Sequence, residues 1–382
     1  VRFCDEISGT SELGILNRAD HAEISVYQEA TEQNNYSGNL ADICPVGALT
    51  DRDFRFKCRV WFLQSVPSIC PGCSRGCNIE IHWNKQRPYQ TPDERVMRIK
   101  PRYNEQVNKW WICDKGRYGF HSIDRDRITH FSIKENSQHA LAESSLIIER
   151  ITAIIKDLHQ EDIAVFLSAK MTCEDLYLSK KLFVDALGIP SIVSTVPEKN
   201  PDSDGLLLMS DKNPNSLCTN IFDLNRTNYE DCVSKIRNRQ IKMIFVFEHD
   251  FYNLSDEVIA NAIRNNIQHI VYVGSNTNPT MTMADIVIPA ATYAESNGSF
   301  INSDGRIQRI TKAFEPLGQS IPCWKFIQQL SKALNIDFNF HEESDVFHAI
   351  SNEYESFKGV RFENIGKEGM LLDNKEHAQV GQ

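Results

Sequence analysis

Four cysteines carry the strongest chemical signal in the sequence. Cys70, Cys73 and Cys77 follow a C-x2-C-x3-C spacing, and Cys113 comes after 35 intervening residues. Three thiolates so close together can converge from one tight loop, and Gly72 and Gly76 let that loop wrap an inorganic core without Cβ clashes. Four thiolates suit a 4Fe-4S cluster and, in principle, structural zinc. Zinc sites usually pair their ligands as two C-x2-C knuckles, so the three-plus-one pattern favours iron and sulfide. Between Cys70 and Gly119 ten Lys or Arg stand against five Asp or Glu, in a chain of net charge -10. A four-thiolate cluster is net anionic, and nearby cations stabilise it. Lys115 and Arg117, two and four residues past Cys113, are the candidate cofactor-binding cations, whereas Lys85 and Arg87 fit a solvated basic hairpin. His82 is a weaker candidate because four cysteines already satisfy the site. Trp110 and Trp111 are expected to shield it from water.

Three regions of different texture must position these residues. Residues 1–62 are short segments separated by turn signals such as Tyr36-Ser37-Gly38-Asn39, and no long helix is legible there. Residues 63–128 read as a small β-rich unit around the cysteines, with strands over Asn78 to Trp83 and Arg95 to Lys100. Residues 129–382 alternate helix and strand signals, which predicts an α/β unit, Rossmann-like over 140–335. Within it, a helical stripe from Leu146 to Leu158 precedes a strand over Ile163 to Leu167. Thr172-Cys173-Glu174-Asp175 fits a capping box for a helix that Gly188 and Pro190 end. Met243 to Phe247, a helix carrying Leu254, Val258, Ile259, Ala262 and Ile263, and Ile270 to Val273 predict a right-handed βαβ unit.

No glycine-rich nucleotide fingerprint follows any of these strands, so no NADH site is expected in the chain. The loop from Gly274 to Pro279 and the turn Asn297-Gly298-Ser299 follow strand-like runs, where open α/β sheets bind ligands in a crevice. Tight turns at Gly298 and Gly305 are the simpler account, with Asp304 and Arg306 closing one of them as an ion pair.

At 382 residues, 41% hydrophobic and 24% charged, the chain is globular and long enough for two or three domains. Its net charge of -10 argues against nucleic acid as a partner. No apolar run reaches the roughly 18 to 20 residues that span a bilayer, which predicts a cytoplasmic chain without membrane insertion. Eleven cysteines, four of them crowded between Cys70 and Cys113, suit a cofactor site in a reducing compartment better than a disulfide framework. Cys4, Cys58, Cys173, Cys218, Cys232 and Cys323 are expected to be buried, inert thiols.

The string Cys70-Pro71-Gly72-Cys73-Ser74-Arg75-Gly76-Cys77-Asn78, with Trp111-Ile112-Cys113-Asp114-Lys115-Gly116-Arg117-Tyr118, resembles the cluster domain of the large iron-sulfur subunit of bacterial respiratory complex I. The molybdenum-pterin oxidoreductases, formate dehydrogenase among them, are relatives of that domain. Val1 to Ile7 and Ser37 to Thr50 resemble the same large subunit's ferredoxin-like segment. Ala284 to Ala291, with Glu295, Gly298, Asn302, Gly305, Arg306 and Gln308, is similar to a stretch that the large subunit shares with its molybdenum relatives. The resemblance implies a partial ferredoxin-like segment, then a small β-rich 4Fe-4S domain, then a degenerate Rossmann-like domain of the molybdopterin-oxidoreductase type.

It further implies one 4Fe-4S cluster on Cys70, Cys73, Cys77 and Cys113, no molybdenum cofactor, and no independent catalytic site. Cys44 would be the leftover ligand of a second, incomplete cluster, because in the family three more cysteines precede the Val-Arg-Phe string with which this sequence begins; the chain is expected to be N-terminally truncated. The expected role is electron transfer and scaffolding in an NADH:quinone oxidoreductase, at the inner face of the cell membrane. Its partners there would be the flavin-containing, NADH-oxidising subunit and the quinone-side iron-sulfur subunits. Two alternatives stay open: a bis-pterin molybdenum or tungsten oxidoreductase, with Lys115 between cluster and pterin and Cys173 as a metal ligand, and a zinc-stabilised docking module.

Overall fold

In a computed structural model of the chain, residues 1–26, 34–85, 94–136, 138–194, 202–252 and 257–372 are described. The N-terminal part holds a hairpin of β1 (Leu13–Leu16) and β2 (Glu23–Val26), then the short helix α1 (Asn39–Ile43). It is followed by an antiparallel sheet, β3 (Leu63–Ile69), β4 (Asn78–Asn84) and β5 (Val96–Pro101), in the order β3-β4-β5. Both strands expected from alternation are therefore present. The short helix α2 (Asp114–Tyr118) packs against β5.

The remainder is built on a seven-stranded sheet. Its members are β6 (Ser132–Glu135), β7 (Gln138–Leu141), β8 (Ile163–Phe166), β9 (Ser191–Val193), β10 (Met243–Phe247), β11 (His269–Gly274) and β12 (Ile286–Pro289), in the order β7-β6-β12-β11-β10-β8-β9. From β9 to β12 the strands run parallel, and β6 joins antiparallel to β12. β8, β10 and β12 are buried along their whole length, as continuous apolar runs such as Met243-Ile244-Phe245-Val246-Phe247 require when helices cover both faces.

One face is covered by α3 (Ser144–Asp157) and α4 (Cys173–Ser179), together with α9 (Cys323–Ala333) and α10 (Glu343–Glu353). Between β9 and β10 come α5 (Ser216–Ile221) and α6 (Tyr229–Arg237). The other face is covered by α6 and α7 (Glu257–Asn266), which bring Tyr229, Val233, Ile236, Ile259 and Ile263 onto it. β10, α7 and β11 form the expected parallel unit, although Leu254 lies outside the described residues. The Thr172 capping box is present: its Oγ1 accepts from the Asp175 N–H, and the Asp175 carboxylate accepts from the Thr172 N–H. The helix continues as a π-type segment, Lys180–Ala186, and stops at Gly188, whose φ is +65°.

After α8 (Pro279–Met283) and β12, a second small sheet of β13 (Gly298–Ile301), β14 (Arg306–Ile310) and β15 (Met370–Leu371) lies between the parallel sheet and the cysteine region. Gly305 turns at φ +77°, as a tight turn between β13 and β14 demands. The expected Asp304–Arg306 pair does not form. Asp304 instead pairs with Arg75 at 3.6 Å, and Arg306 donates to the Gly369 carbonyl at 3.2 Å, because β15 and the cysteine loop flank the turn on opposite sides.

Candidate metal centre

The first three cysteines sit where the β3–β4 hairpin reverses. Ile69 pairs with Asn78 at the end of the ladder, and the Cys70 N–H donates to the Cys77 carbonyl at 2.9 Å, closing the loop. Inside it Gly76 has a φ of +63°, and a Cβ there would stand 2.4 Å from Gln308 Oε1. Both facts select glycine. Cys113 approaches from the other side as the N-cap of α2, where its Sγ accepts from the Gly116 N–H at 3.4 Å. A Cβ on Gly116 would lie 3.0 Å from Cys70 Sγ, so the first turn of α2 covers the loop directly.

All four thiols are buried, and Cys70, Cys77 and Cys113 share an apolar cluster with Ile79, Ile112, Leu207 and Leu208. Burial pushes the Cys77 thiol well above its ordinary value; charge on Cys70, Cys73 and Cys113 pushes it further, and Arg75 opposes them. The Cys70 thiol is raised by burial and then by Cys113 and Cys73. Cys113 is raised by burial and eased by the Gly116 N–H. Three thiols that resist ionising therefore lie, with Cys73, within electrostatic reach of one another, and a polycationic centre is what would hold all four together as thiolates. The residues fit an iron-sulfur cluster, which when bound supplies a one-electron couple in a dry setting. Among the described residues no three or more His, Cys, Asp or Glu side chains are drawn together around a single point.

The two cations expected to bind the cofactor are taken up elsewhere. Lys115 Nζ pairs with Asp202 at 2.6 Å. Arg117, buried against Gly38, pairs with Asp42 at 2.7 Å and donates to Asn39 Oδ1 at 3.2 Å, because a buried guanidinium requires a counterion. The cation felt by Cys77 is Arg75, inside the loop itself, whose guanidinium also holds the Leu206 carbonyl at 3.2 Å. His82 is occupied by Glu80 at 3.2 Å and by Arg98 at 3.0 Å. Trp111 packs on Phe3 beside the cysteine core, but Trp110 is 62% exposed and lies against Tyr103, so only one of the two rings is placed to exclude water.

Cys44 is half-buried and is not part of the apolar cluster that holds Cys70, Cys77 and Cys113. Its Sγ accepts from the Leu49 N–H at 3.4 Å. That N–H, against some burial and with help from those of Val46, Ala48 and Gly47, holds the thiol below its ordinary value. Of the thiols expected to be buried, Cys4, Cys173, Cys218, Cys232 and Cys323 are; Cys58 is only half-buried, on an irregular stretch ahead of β3. Arg87 lies outside the described residues.

Sequence reasoning missed the groups that brace the centre. Asn39, fully buried, donates to the Ile112 carbonyl at 2.8 Å and accepts from the Ile112 N–H at 3.2 Å, fixing the backbone just ahead of Cys113. Asp114 accepts from the N–H groups of Ser37 and Gly38, both at 2.9 Å. The Tyr36 hydroxyl accepts from the Leu207 N–H at 3.0 Å and donates to Asp204 at 2.7 Å, pressing the leucines onto the cysteines. Arg75 and Asn39 lie inside strings that the resemblance covers, a signal that could have found them. The leucines had no periodic signal.

A cavity of about 420 Å³ lies at the carboxyl ends of the parallel strands, lined by Lys170, Glu248 and Ser275 to Asn278 among others and touching Pro71 of the cysteine loop; of the two stretches expected to border a crevice it takes in the first, while Asn297, Gly298 and Ser299 are not in its lining. Since β8 and β10 are neighbours while the chain runs outward from β8 to β9 and then back, this edge holds the sheet's switch point.

Residues 1–50 match the ferredoxin-like domain of NADH-quinone oxidoreductase subunit 3, and residues 63–125 match the molybdopterin oxidoreductase Fe4S4 domain. Residues 220–333 match the molybdopterin oxidoreductase family. The G subunit of NADH-quinone oxidoreductase from Rickettsia bellii is 23% identical over an alignment covering 98% of this chain and 69% of that protein. This chain is a homologue of the G subunit of NADH-quinone oxidoreductase. The 75 kDa subunit of NADH-ubiquinone oxidoreductase from Reclinomonas americana is 24% identical, over 91% of this chain and 68% of that one. Among solved structures, acetylene hydratase from Pelobacter acetylenicus shares the fold, with a TM-score of 0.55 at 9% identity over 80% of this chain and 74% of that one. As a G-subunit homologue with a match to an Fe4S4 domain, the chain belongs with iron-sulfur proteins.

Proposed function

We propose that Cys70, Cys73, Cys77 and Cys113 hold a single 4Fe-4S cluster, and that the chain serves as an electron-transfer and scaffold subunit of an NADH:quinone oxidoreductase. The observation that carries this reading is the burial of four thiols between one hairpin loop and one helix start. Arg75 tempers the charge of the site from within the loop, while Lys115 and Arg117 hold its covering segments through Asp202 and Asp42. Residues 1–62, 63–128 and 129–382 are read as separate units, with Cys44 as one ligand of a further cluster. NADH oxidation by flavin and quinone reduction belong to neighbouring subunits, and the assembly sits at the inner face of the membrane. Among the described residues no helix is long and apolar enough to cross a membrane.

The α/β unit is proposed to carry no molybdenum cofactor. Asp175, Glu248 and Asp250 face a single Lys170 across the cavity, a balance that opposes the phosphate of a pterin cofactor. Elemental analysis of the purified chain tests both statements. Iron and acid-labile sulfide are expected at about four each per chain with no stoichiometric molybdenum or tungsten, and Cys73→Ala is expected to lose most of the iron. Full iron retention in Cys73→Ala would refute the ligand set, and one molybdenum or tungsten per chain would refute the scaffold reading.

A further inference from the structure

The loop between Cys73 and Cys77 is gripped from one side by the hairpin of β13 and β14. Its carbonyls at three successive residues accept from that hairpin: Ser74 from the Ser303 N–H at 2.8 Å, Arg75 from Asn302 Nδ2 at 3.2 Å and Gly76 from Gln308 Nε2 at 2.9 Å. The two side-chain donors are buried and are themselves held. Asn302 Oδ1 accepts from the N–H groups of Asp304 and Arg306, and Gln308 Nε2 also reaches Asn78 Oδ1, so each amide has one orientation that pairs it.

No peptide bond of the chain is cis, and in a trans peptide the N–H points opposite to the C=O. Holding these carbonyls therefore turns the N–H groups of Arg75, Gly76 and Cys77 away from the hairpin. Cys70, Cys77 and Cys113 pack into an apolar cluster that takes in no residue of β13, β14 or the turn between them. The Gly76 N–H folds back onto the Cys73 carbonyl at 3.3 Å, whereas the Cys77 N–H donates to no group among the described residues, although Cys77 is only 4% exposed. A buried N–H without an acceptor is rare and costly. This one belongs to a proposed cluster ligand, and the sulfur of an iron-sulfur cluster is an acceptor that it suits.

We infer that Gln308 is a positioning residue for the iron-sulfur centre: by fixing the Gly76 carbonyl it aims the Cys77 N–H at a cluster sulfur and so raises the reduction potential, while Asn302 steadies the preceding peptide. The role rests on the iron-sulfur reading. An N–H donor to sulfur stabilises the reduced, more negative cluster over the oxidised one, so losing its aim moves the couple to lower potential. Through these two side chains the α/β unit acts on the electron carrier held by the cysteine unit.

Redox titration of the full chain, followed by the EPR signal of the reduced cluster, tests the role in the parent, Gln308→Met and Ile310→Val. Gln308→Met keeps the length of the side chain and removes its donor; it is expected to shift the reduction equilibrium about tenfold toward the oxidised form, or about 59 mV for a one-electron couple. Ile310→Val trims the packing of the same strand without touching a loop carbonyl and should keep the parental potential, which separates positioning from general loosening. Pulsed EPR of the reduced parent labelled with 15N-cysteine is expected to show an amide nitrogen coupled to the cluster, and it decides the matter where Gln308→Met loses its iron. An iron-loaded Gln308→Met at the parental potential, an equal shift in Ile310→Val, or no coupled cysteine nitrogen in the parent would overturn the role and leave the ligand set standing. A parent chain without iron would overturn both.

Discussion

Single residues in this protein are constrained by space and by protons. Gly76 combines a left-handed backbone with a neighbour, Gln308, whose amide donates to the Gly76 carbonyl at 2.9 Å and to Asn78 Oδ1 at 3.0 Å. Gly76→Ala must strain the turn and displace that amide, and is expected to cost about 1 to 3 kcal/mol in urea denaturation. Glu174, at the start of α4, is fully buried and accepts from the Ser299 N–H at 2.9 Å and its hydroxyl at 2.8 Å. Burial outweighs those donors and lifts its carboxyl from 4.5 to about 7. The folded chain thus keeps a proton that the unfolded chain releases, so this group's contribution is complete at low pH and is lost as pH rises from 4.5 to about 7. Glu174→Gln should remove that loss. Compared with the parent by urea midpoint, it should gain on the order of 2 to 3 kcal/mol between pH 5 and pH 8, and an unchanged difference between the two pH values would show that Glu174 does not titrate there.

At the level of elements, Asp175 does two jobs: it completes the capping box of α4 and accepts the Trp324 N–H in the first turn of α9 at 2.7 Å. Asp175→Ala should therefore cost more than an ordinary cap, about 2 to 4 kcal/mol against roughly 1 for a cap alone, read from the shift in urea midpoint. The capping box was legible in the sequence because its partners are three residues apart; its second bond spans 149 residues and was not. The same division holds elsewhere. β8, β10 and β11 announced themselves as apolar runs, and β4 and β5 as alternation, because both patterns are local. Cys70, Cys73 and Cys77 were legible for that reason, and Cys113 as the fourth thiolate that a three-plus-one pattern asks for. What escaped was set by tertiary pairing: the partners of Lys115 and Arg117, the exposure of Trp110, the link from Arg75 to Asp304, and the placement of Leu207 over Cys73.

At the scale of the molecule, one buried network fastens the cysteine unit to the parallel sheet. Glu295, without solvent exposure, pairs with Arg127 at 2.8 Å and with Arg95 at 2.7 Å, and Arg95 also holds Asp124 at 2.6 Å. Burial alone would raise the Glu295 carboxyl, but Arg127 and then Arg95 bring it below the ordinary range. Glu295→Ala leaves two guanidinium groups around an empty centre and is expected to destabilise the chain by about 3 to 5 kcal/mol in chemical denaturation. On the iron-sulfur reading, removing the iron should loosen residues 63–125 first. Hydrogen exchange is expected to rise at β4 and α2 while β10 and β11 stay protected, and uniform loss of protection would show that the two units unfold as one.

The cysteine unit is also stitched to residues made long after it. Asn78 Nδ2 and Arg102 Nη1 both donate to the Lys367 carbonyl, at 2.9 and 2.7 Å, and Asn104 Nδ2 reaches that of Glu368 at 3.1 Å. At roughly 5 to 20 residues per second, a ribosome places these acceptors tens of seconds after the hairpin has emerged. During that interval the hairpin lacks these three hydrogen bonds, so the cysteine unit reaches its final fold only after the C-terminal segment has been made.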